Sequence, residues 1–299
     1  MDPKRLLIFR AIARAGSISA AAREFGWTQP ALSQHLGALE REAGTPLVLR
    51  GPHGVTLTEA GHILLRRADA VAGQLDLAAE ELAAVARLRR GRVRLAAYPS
   101  ALATIVPRAA ASLRNRLPEA DITLVEAEPP EALALLGRGD VDLALVFGYE
   151  QGSDHIGRAC RRLGEEPVRL VTAAGGHPAN GPLTLADLRD EEWVVGCDRC
   201  RDHLLDLCRN AGFEPIERHS TDDYVVRQNL VAAGFGVTLL PQAALDAYRH
   251  PDVVVRGDPR LGRRELHVVY HDGAEQVPAT AALLHELGTA WRTQAERNR

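Results

Sequence analysis

Apolar positions recur at helical spacing through the first 45 residues, in three short groups. Leu7, Phe9, Ile12 and Ala13 predict a helix over roughly residues 3–15. Ile18, Ala21, Ala22 and Phe25 mark the apolar face of a second. Ser17 is its N-cap, and Gly26 stands where a left-handed residue ends a helix. Thr28 caps a third, with Pro30 in the first turn, where a missing N–H costs nothing. Ala31, Leu32, Leu36 and Leu39 form its buried stripe, and Gln29, Ser33, Gln34 and His35 its polar face. Small alanines let the second and third helices cross closely. This is the pattern of a helix-turn-helix, whose second helix enters the DNA major groove.

After Gly44 the period changes to that of short strands. Leu47–Arg50 and Val55–Leu57 flank Gly51-Pro52-His53-Gly54, a hairpin signal. In a winged helix-turn-helix this hairpin is the wing, and Arg50 and His53 lie near the DNA backbone or minor groove. The plainer reading of His53 is a solvated turn. Thr58 caps a long helix with Glu59 in its first turn, where the helix dipole favours an anion. Leu64, Ala68, Val71, Leu75, Ala78, Leu82 and Val85 follow at alternating spacings of four and three, a heptad seam suited to pairing with another helix. The alternative is a helix lying on its own domain. Arg87, Arg89, Arg90, Gly91 and Arg92 mark a polar hinge.

Beyond the hinge, strand and helix patterns alternate, which predicts open α/β sheets. Strands are expected at Val93–Ala97, Ile122–Val125, Val141–Phe147, Val168–Thr172, Trp193–Gly196, Val237–Leu240 and Leu266–Tyr270. Helices are expected at Leu102–Leu113, Pro130–Leu136 and near 201–211, 223–233 and 278–292. A break near Gly157–Glu166 and a return near Leu266 suggest two α/β lobes joined by two crossings, as in periplasmic binding proteins. The implied division is residues 1–60 as the winged helix-turn-helix, 61–90 as a dimerising linker helix and 91–299 as the ligand domain. Lobe I then spans about 91–164 and 267–299, and lobe II about 165–266.

Ligands of open α/β sheets bind beyond the C-terminal ends of strands, often on helix N-termini. That rule selects Ser100 and Ala101 after the first strand, Glu128 after the second and Phe147 at the end of the third. In the other lobe it selects Asp198, Arg199 and Thr221. Arg199 suits an anionic ligand through a bidentate contact. For Ser100 and Thr221 singly, plain helix capping explains the residue as well.

The run Ser17-x-x-x-Ala21-Ala22, then Thr28-Gln29-Pro30-Ala31-Leu32-Ser33 and Leu39-Glu40, resembles the DNA-binding segment of LysR-type transcriptional regulators. Pro46–Arg50 and Leu57-Thr58-Glu59-Ala60-Gly61 resemble the same family at the same spacing, and the length and downstream layout also fit. The resemblance implies a double-stranded DNA operator, a small-molecule effector held between the two lobes, and a homodimer or homotetramer that contacts RNA polymerase. It implies no cofactor. Ser17 at the start of the second helix, and Thr28, Gln29, Pro30, Ser33 and Gln34 on and capping the recognition helix, are the expected DNA-contacting set, joined by Arg50 and His53 of the wing. Gln34, His35 and Gly37 occupy a stretch that in the family often carries Arg or Lys.

Charge adds modestly to this picture. The whole chain has a formal charge of −3, but residues 1–90 hold 12 basic and 9 acidic side chains while the rest hold 24 and 30. A basic end on an acidic body fits DNA binding by one end. The N-terminus reads as an amphipathic helix rather than a signal peptide, and no apolar run approaches the roughly 20 residues of a membrane span. A cytoplasmic protein is expected, with four cysteines as free thiols. Peroxide-sensing members of the family carry a cysteine pair that Cys200 and Cys208 loosely resemble, which leaves a thiol-based redox sensor as an alternative. On one helix those two lie about 12 Å apart, so joining them requires local unfolding. Cys197 and Cys200 bridge more readily. A zinc site from these cysteines and His203 lacks a second CxxC. No phosphate-binding loop, HExxH, GxSxG or full GxGxxG occurs, so no enzyme activity is expected. A solute-binding protein or enzyme with an incidental helical N-terminus is the more distant alternative.

Overall fold

The computed structural model describes residues 1–51, 54–85, 91–149, 159–177 and 183–298. They form two units, residues 1–87 with 137–140, and the remainder.

In the first unit, α1 (Pro3–Ala15), α2 (Ile18–Phe25) and α3 (Gln29–Ala43) fall where the apolar spacing predicts. Each ends on a left-handed glycine, at Gly16, Gly26 and Gly44. Ser17 accepts from the Ala20 N–H at 3.4 Å. Ile8, Phe9, Ile12, Ala21, Ala22, Leu32, Leu36, Leu39 and Leu47 build one core. Truncating a leucine at its centre costs about 2–5 kcal/mol. Strands β1 (Val48–Gly51) and β2 (Gly54–Leu57) pair antiparallel from Val48↔Leu57 to Gly51↔Gly54. Glu40 sets the approach to this hairpin by accepting from Leu47 and Val48 N–H groups at 2.9 and 3.3 Å. Gly54, at φ 125°, admits no side chain: a Cβ there would run into the Gly16 carbonyl, which accepts from the Val55 N–H at 2.9 Å. Helix α4 (Glu59–Val85) is capped by Thr58, whose Oγ1 accepts from the Gly61 N–H at 3.0 Å.

The predicted heptad seam of α4 divides. Leu64 packs on the helix-turn-helix core and Ala68 is fully buried, whereas Val71 and Leu75 are exposed. The first turns of α4 lie on the domain that launches them, so only the later seam positions face outward. Leu82 and Val85 have no described side chains, and the hinge arginines Arg87, Arg89 and Arg90 lie outside the described residues.

In the second unit, β3 (Arg92–Ala97) is flanked in parallel by β4 (Asp121–Glu126) and β5 (Leu143–Gly148). Helices α5 (Pro99–Leu102), α6 (Ile105–Arg116) and α7 (Pro129–Gly137) connect them, so the single helix expected over Leu102–Leu113 is two, parted at Thr104. Strand β6 (Ala159–Ala173) corrects the expected break near Gly157–Glu166: from Ala159 onward this stretch is one continuous strand. Its first half pairs antiparallel with β11 (Arg263–Tyr270), which pairs antiparallel with β5. Its second half pairs with β9 (Thr238–Pro241) and β10 (Val253–Gly257). One strand thus belongs to both lobes, and the curled mixed sheet changes lobe near Pro167.

Lobe II adds β7 (Glu192–Val195), α8 (Asp198–Asn210), β8 (Ile216–Ser220), α9 (Tyr224–Ala232) and α10 (Gln242–Ala247). Strands β8 and β10 have no counterpart in the expected list. The burial of β8 alternates, with its even positions exposed, and its run Ile-Glu-Arg-His-Ser carries too few apolar residues to announce a strand. Trp193, Leu204, Cys208 and Val237 fill the lobe II core, and helix α11 (Pro278–Arg297) packs on lobe I against α6.

Candidate functional site

On α3, the side chains of Gln29 and Gln34 are exposed, and Ser33 partly so. The Gln29 amide donates to Ser33 Oγ at 3.2 Å, which pre-orients both on the polar face. Thr28 and Pro30 are exposed at the start of the helix, and the Thr28 hydroxyl makes no capping bond. Ser17 caps α2, and Arg50 is exposed on the hairpin opposite Val55. His53 lies outside the described residues. The His35 ring lies tilted against Trp27, with ring centres 5.4 Å apart, and Lys4 Nζ sits 4.9 Å from the Trp27 ring centre.

The second unit carries a cleft lined from both lobes. Ser100, Glu128 and Phe147 line it as expected from strand ends, with Tyr98, Cys197, Cys200, Asp222, Tyr224, Arg227 and Arg264. Its enclosed free space is about 30 Å³, room for a water or two, and about 350 Å³ when the open mouth is included. Four expected residues do not line it. Ala101 is buried on α5 and does not reach the cleft lining. Asp198 lies on the first turn of α8 and is half-buried, and Arg199, beside it, is exposed; neither lines the cleft. Thr221 spends its hydroxyl on the Asp223 N–H at 3.2 Å. The strand-end rule locates the loop but not the direction of each side chain in it.

Two other arginines, Arg227 and Arg264, line the cleft. Arg264, on β11 and 2% exposed, donates from Nε to Glu166 Oε1 at 2.8 Å and from Nη2 to Ser100 Oγ at 2.7 Å. Its guanidinium lies 4.7 Å from the Tyr98 ring centre and 4.3 Å from that of Phe147. Burial opposes its charge, but the Glu166 carboxylate beside it favours the charged form, and the guanidinium stays protonated. The other Glu166 oxygen accepts from the Ala243 N–H at 2.7 Å, so this carboxylate ties β11 to α10. Arg227, on α9, gives its hydrogen bonds to the Thr221 carbonyl at 3.0 Å, the Leu239 carbonyl at 3.0 Å and Thr238 Oγ1 at 3.5 Å, all neutral oxygens. Gly196 makes room for it, since a Cβ there would collide with the guanidinium.

The sequence signal for both was a charge on an apolar face. Arg264 shares the inward side of β11 with Leu266 and Val268, and Arg227 lies one helical turn before buried Val231.

Several cleft groups are poised rather than satisfied. Among the described residues, Tyr98 Oη and Glu128 Oε2 are buried without a hydrogen-bond partner. Burial pushes the Tyr98 phenol well above its ordinary range and raises the Glu128 carboxyl to about 7. The Cys197 and Cys200 sulfurs approach to 3.1 Å, and the Tyr149 hydroxyl donates to Cys200 at 3.4 Å. The hydrogen bond from Cys197, with the charges of Arg227 and Arg264, lowers the Cys200 thiol, and the same hydrogen bond raises Cys197. Cys208 is fully buried in the lobe II core, and burial pushes its thiol up to about 12. Among the described residues, no group of three His, Cys, Asp or Glu is arranged to hold a metal ion, and no helix is long and apolar enough to cross a membrane.

A winged helix-turn-helix followed by a long helix and a two-lobed α/β domain with a ligand cleft defines a DNA-binding transcriptional regulator with an effector-binding domain. Residues 3–62 match the family model for bacterial regulatory helix-turn-helix proteins of the lysR family, and residues 86–292 match the LysR substrate binding domain. The chain belongs to the LysR family of transcriptional regulators. It is 33% identical over 297 residues to the small neutral protease regulatory protein of Streptomyces coelicolor, covering 96% of this chain and 91% of that one. Its identity to the transcriptional regulator BudR of Raoultella terrigena is 30% over 254 residues, 81% of this chain and 85% of BudR. Among solved structures, a full-length OxyR variant from Pseudomonas aeruginosa superimposes with a TM-score of 0.69 at 20% identity, over 98% and 95% of the two chains.

Proposed function

We propose that this regulator is switched by a small anionic effector, of the carboxylate class, bound in the cleft between lobes I and II. Arg227 carries the reading: a buried guanidinium whose hydrogen bonds go to neutral oxygens is a costly charge that a bound anion offsets. Tyr98 Oη and Glu128 Oε2, of residues that line the same cleft, supply further hydrogen-bonding groups. With little enclosed volume, the cleft opens to admit the ligand, and the effector acts through differential affinity for two arrangements of the protein on DNA. The chain assembles as a homodimer or homotetramer on a partly palindromic operator, with base edges read by Gln29, Ser33 and Gln34, and it contacts RNA polymerase. Thermal-shift screening of small mono- and dicarboxylates against the parent, Arg227→Met and Ser100→Ala tests the site. The expected hit stabilises the parent and loses most of its effect in Arg227→Met. A compound that stabilises all three equally binds elsewhere and overturns the assignment.

A further inference from the structure

We propose that Cys197 and Cys200 are a reversible dithiol–disulfide couple set into the wall of the effector cleft, exchanging with small-molecule disulfides. Three observations carry this. The two sulfurs already lie 3.1 Å apart, about 1 Å beyond bonding distance. Cys197 is the N-cap residue of α8, at φ −54° and ψ 159°, so its side chain belongs to the loop and can swing toward Cys200 without unwinding the helix. Both thiols are partly exposed and line the cleft, whereas the other half of the pair suggested by family resemblance, Cys208, sits fully buried on the same helix. A Cys200–Cys208 bond would require α8 to unfold across about 12 Å, and a Cys197–Cys200 bond requires no such change.

The surroundings favour reaction at Cys200. Arg227 and Arg264 both line the cleft with it, and the Tyr149 hydroxyl donates to its sulfur. These groups stabilise a thiolate, in keeping with the lowered Cys200 thiol. The exchange is balanced without any further reagent. The Cys200 thiolate attacks one sulfur of the incoming disulfide, forms a mixed disulfide and expels one thiolate, which takes up the proton Cys200 gave up. Cys197 then attacks the Cys200 sulfur, its proton passing to the second departing thiolate. Two cysteine thiols lose two electrons, and one small disulfide becomes two thiols. Closure also removes the thiolate beside Arg227, so oxidation changes the charge that the cleft presents to an effector.

The test uses the full chain equilibrated in mixtures of reduced and oxidised glutathione, quenched with acid, alkylated and read by intact mass and peptide mapping. In the oxidising mixtures two of the four thiols should disappear together. They should map to a Cys197–Cys200 cross-link and return with excess dithiothreitol. Cys160 and Cys208 should stay alkylated throughout. Cys197→Ser should instead hold glutathione on Cys200 as a lasting mixed disulfide. Alkylation of both Cys197 and Cys200 in every mixture overturns the proposal, as does a cross-link that includes Cys208 or Cys160. So does the loss of two thiols in Cys197→Ser. The parent protein alone supports or refutes the couple, so the outcome does not depend on a variant's folding.

Discussion

At the scale of single residues, Glu128 makes the sharpest claim. Its carboxyl is held near 7 by burial, above the value it takes in the unfolded chain. A raised carboxyl binds more protons folded than unfolded between those two values. Glu128 therefore subtracts stability as pH rises from about 4.5 to about 7, and subtracts nothing below that window. Glu128→Gln removes the term. Discounted for the solvent that reaches this side chain, the variant should be more stable than the parent by roughly 1–2 kcal/mol, or about 2–8 °C, at pH 8, and equal to it near pH 4. Paired thermal melts across that range check the sign; a constant offset at every pH refutes it. On the DNA side, Gln34→Ala should alter sequence preference, with about 1–3 kcal/mol lost only at the base it reads. Arg50→Ala should weaken binding to all sequences alike and lower the salt slope by about 1. Selection from a randomised operator pool, with a salt titration, separates the two.

Among the elements, β6 and β11 hold the ligand domain together. Arg264 and Glu166 face each other across these strands, both nearly unexposed, and Glu166 also reaches the α10 backbone. Removing one member leaves a buried charge alone, so Arg264→Ala should cost about 3–5 kcal/mol in chemical denaturation. Arg264→Met with Glu166→Gln should cost markedly less, because no lone charge remains. A double variant as damaged as the single one would show that packing, not charge, dominates there. Helix α4 makes a different claim. Val71 and Leu75 are exposed on a helix of 27 residues, and exposed apolar residues at heptad positions suit a partner helix. Leu75→Glu should shift the mass in solution toward monomer at micromolar concentration, while Ile63→Glu, off the seam, should not. Light scattering of both variants decides.

Over the whole molecule, a regulator with one recognition helix per chain and an exposed helical seam is expected to bind DNA as a two-fold assembly. Its operator should then contain inverted half-sites in register with the helical repeat, about 10 base pairs or a multiple apart. Footprinting on the DNA upstream of its own gene should show paired protections. Single protected half-sites from a monomeric protein would contradict this.

The helix-turn-helix was legible because every contact that defines it is local. Ser17, Gly26, Pro30 and the leucines of α3 lie within 25 residues, and spacing alone puts them on one face. The alternation of strands and helices was equally readable, and it disclosed the α/β class and the two crossings. The continuity of β6 was not. Its first half alternates Arg, Leu, Gly and Glu and resembles a loop, and only pairing with β11, about a hundred residues later, makes it a strand. The cleft followed the same division. Strand ends predicted Ser100, Glu128 and Phe147, whose positions depend on the strand that precedes each. Arg264 and Arg227 come from distant segments, and folding alone sets them beside Ser100 and Cys200. Periodicity reports which side of an element is buried, but which buried charges meet is decided by the register of strands far apart in the chain.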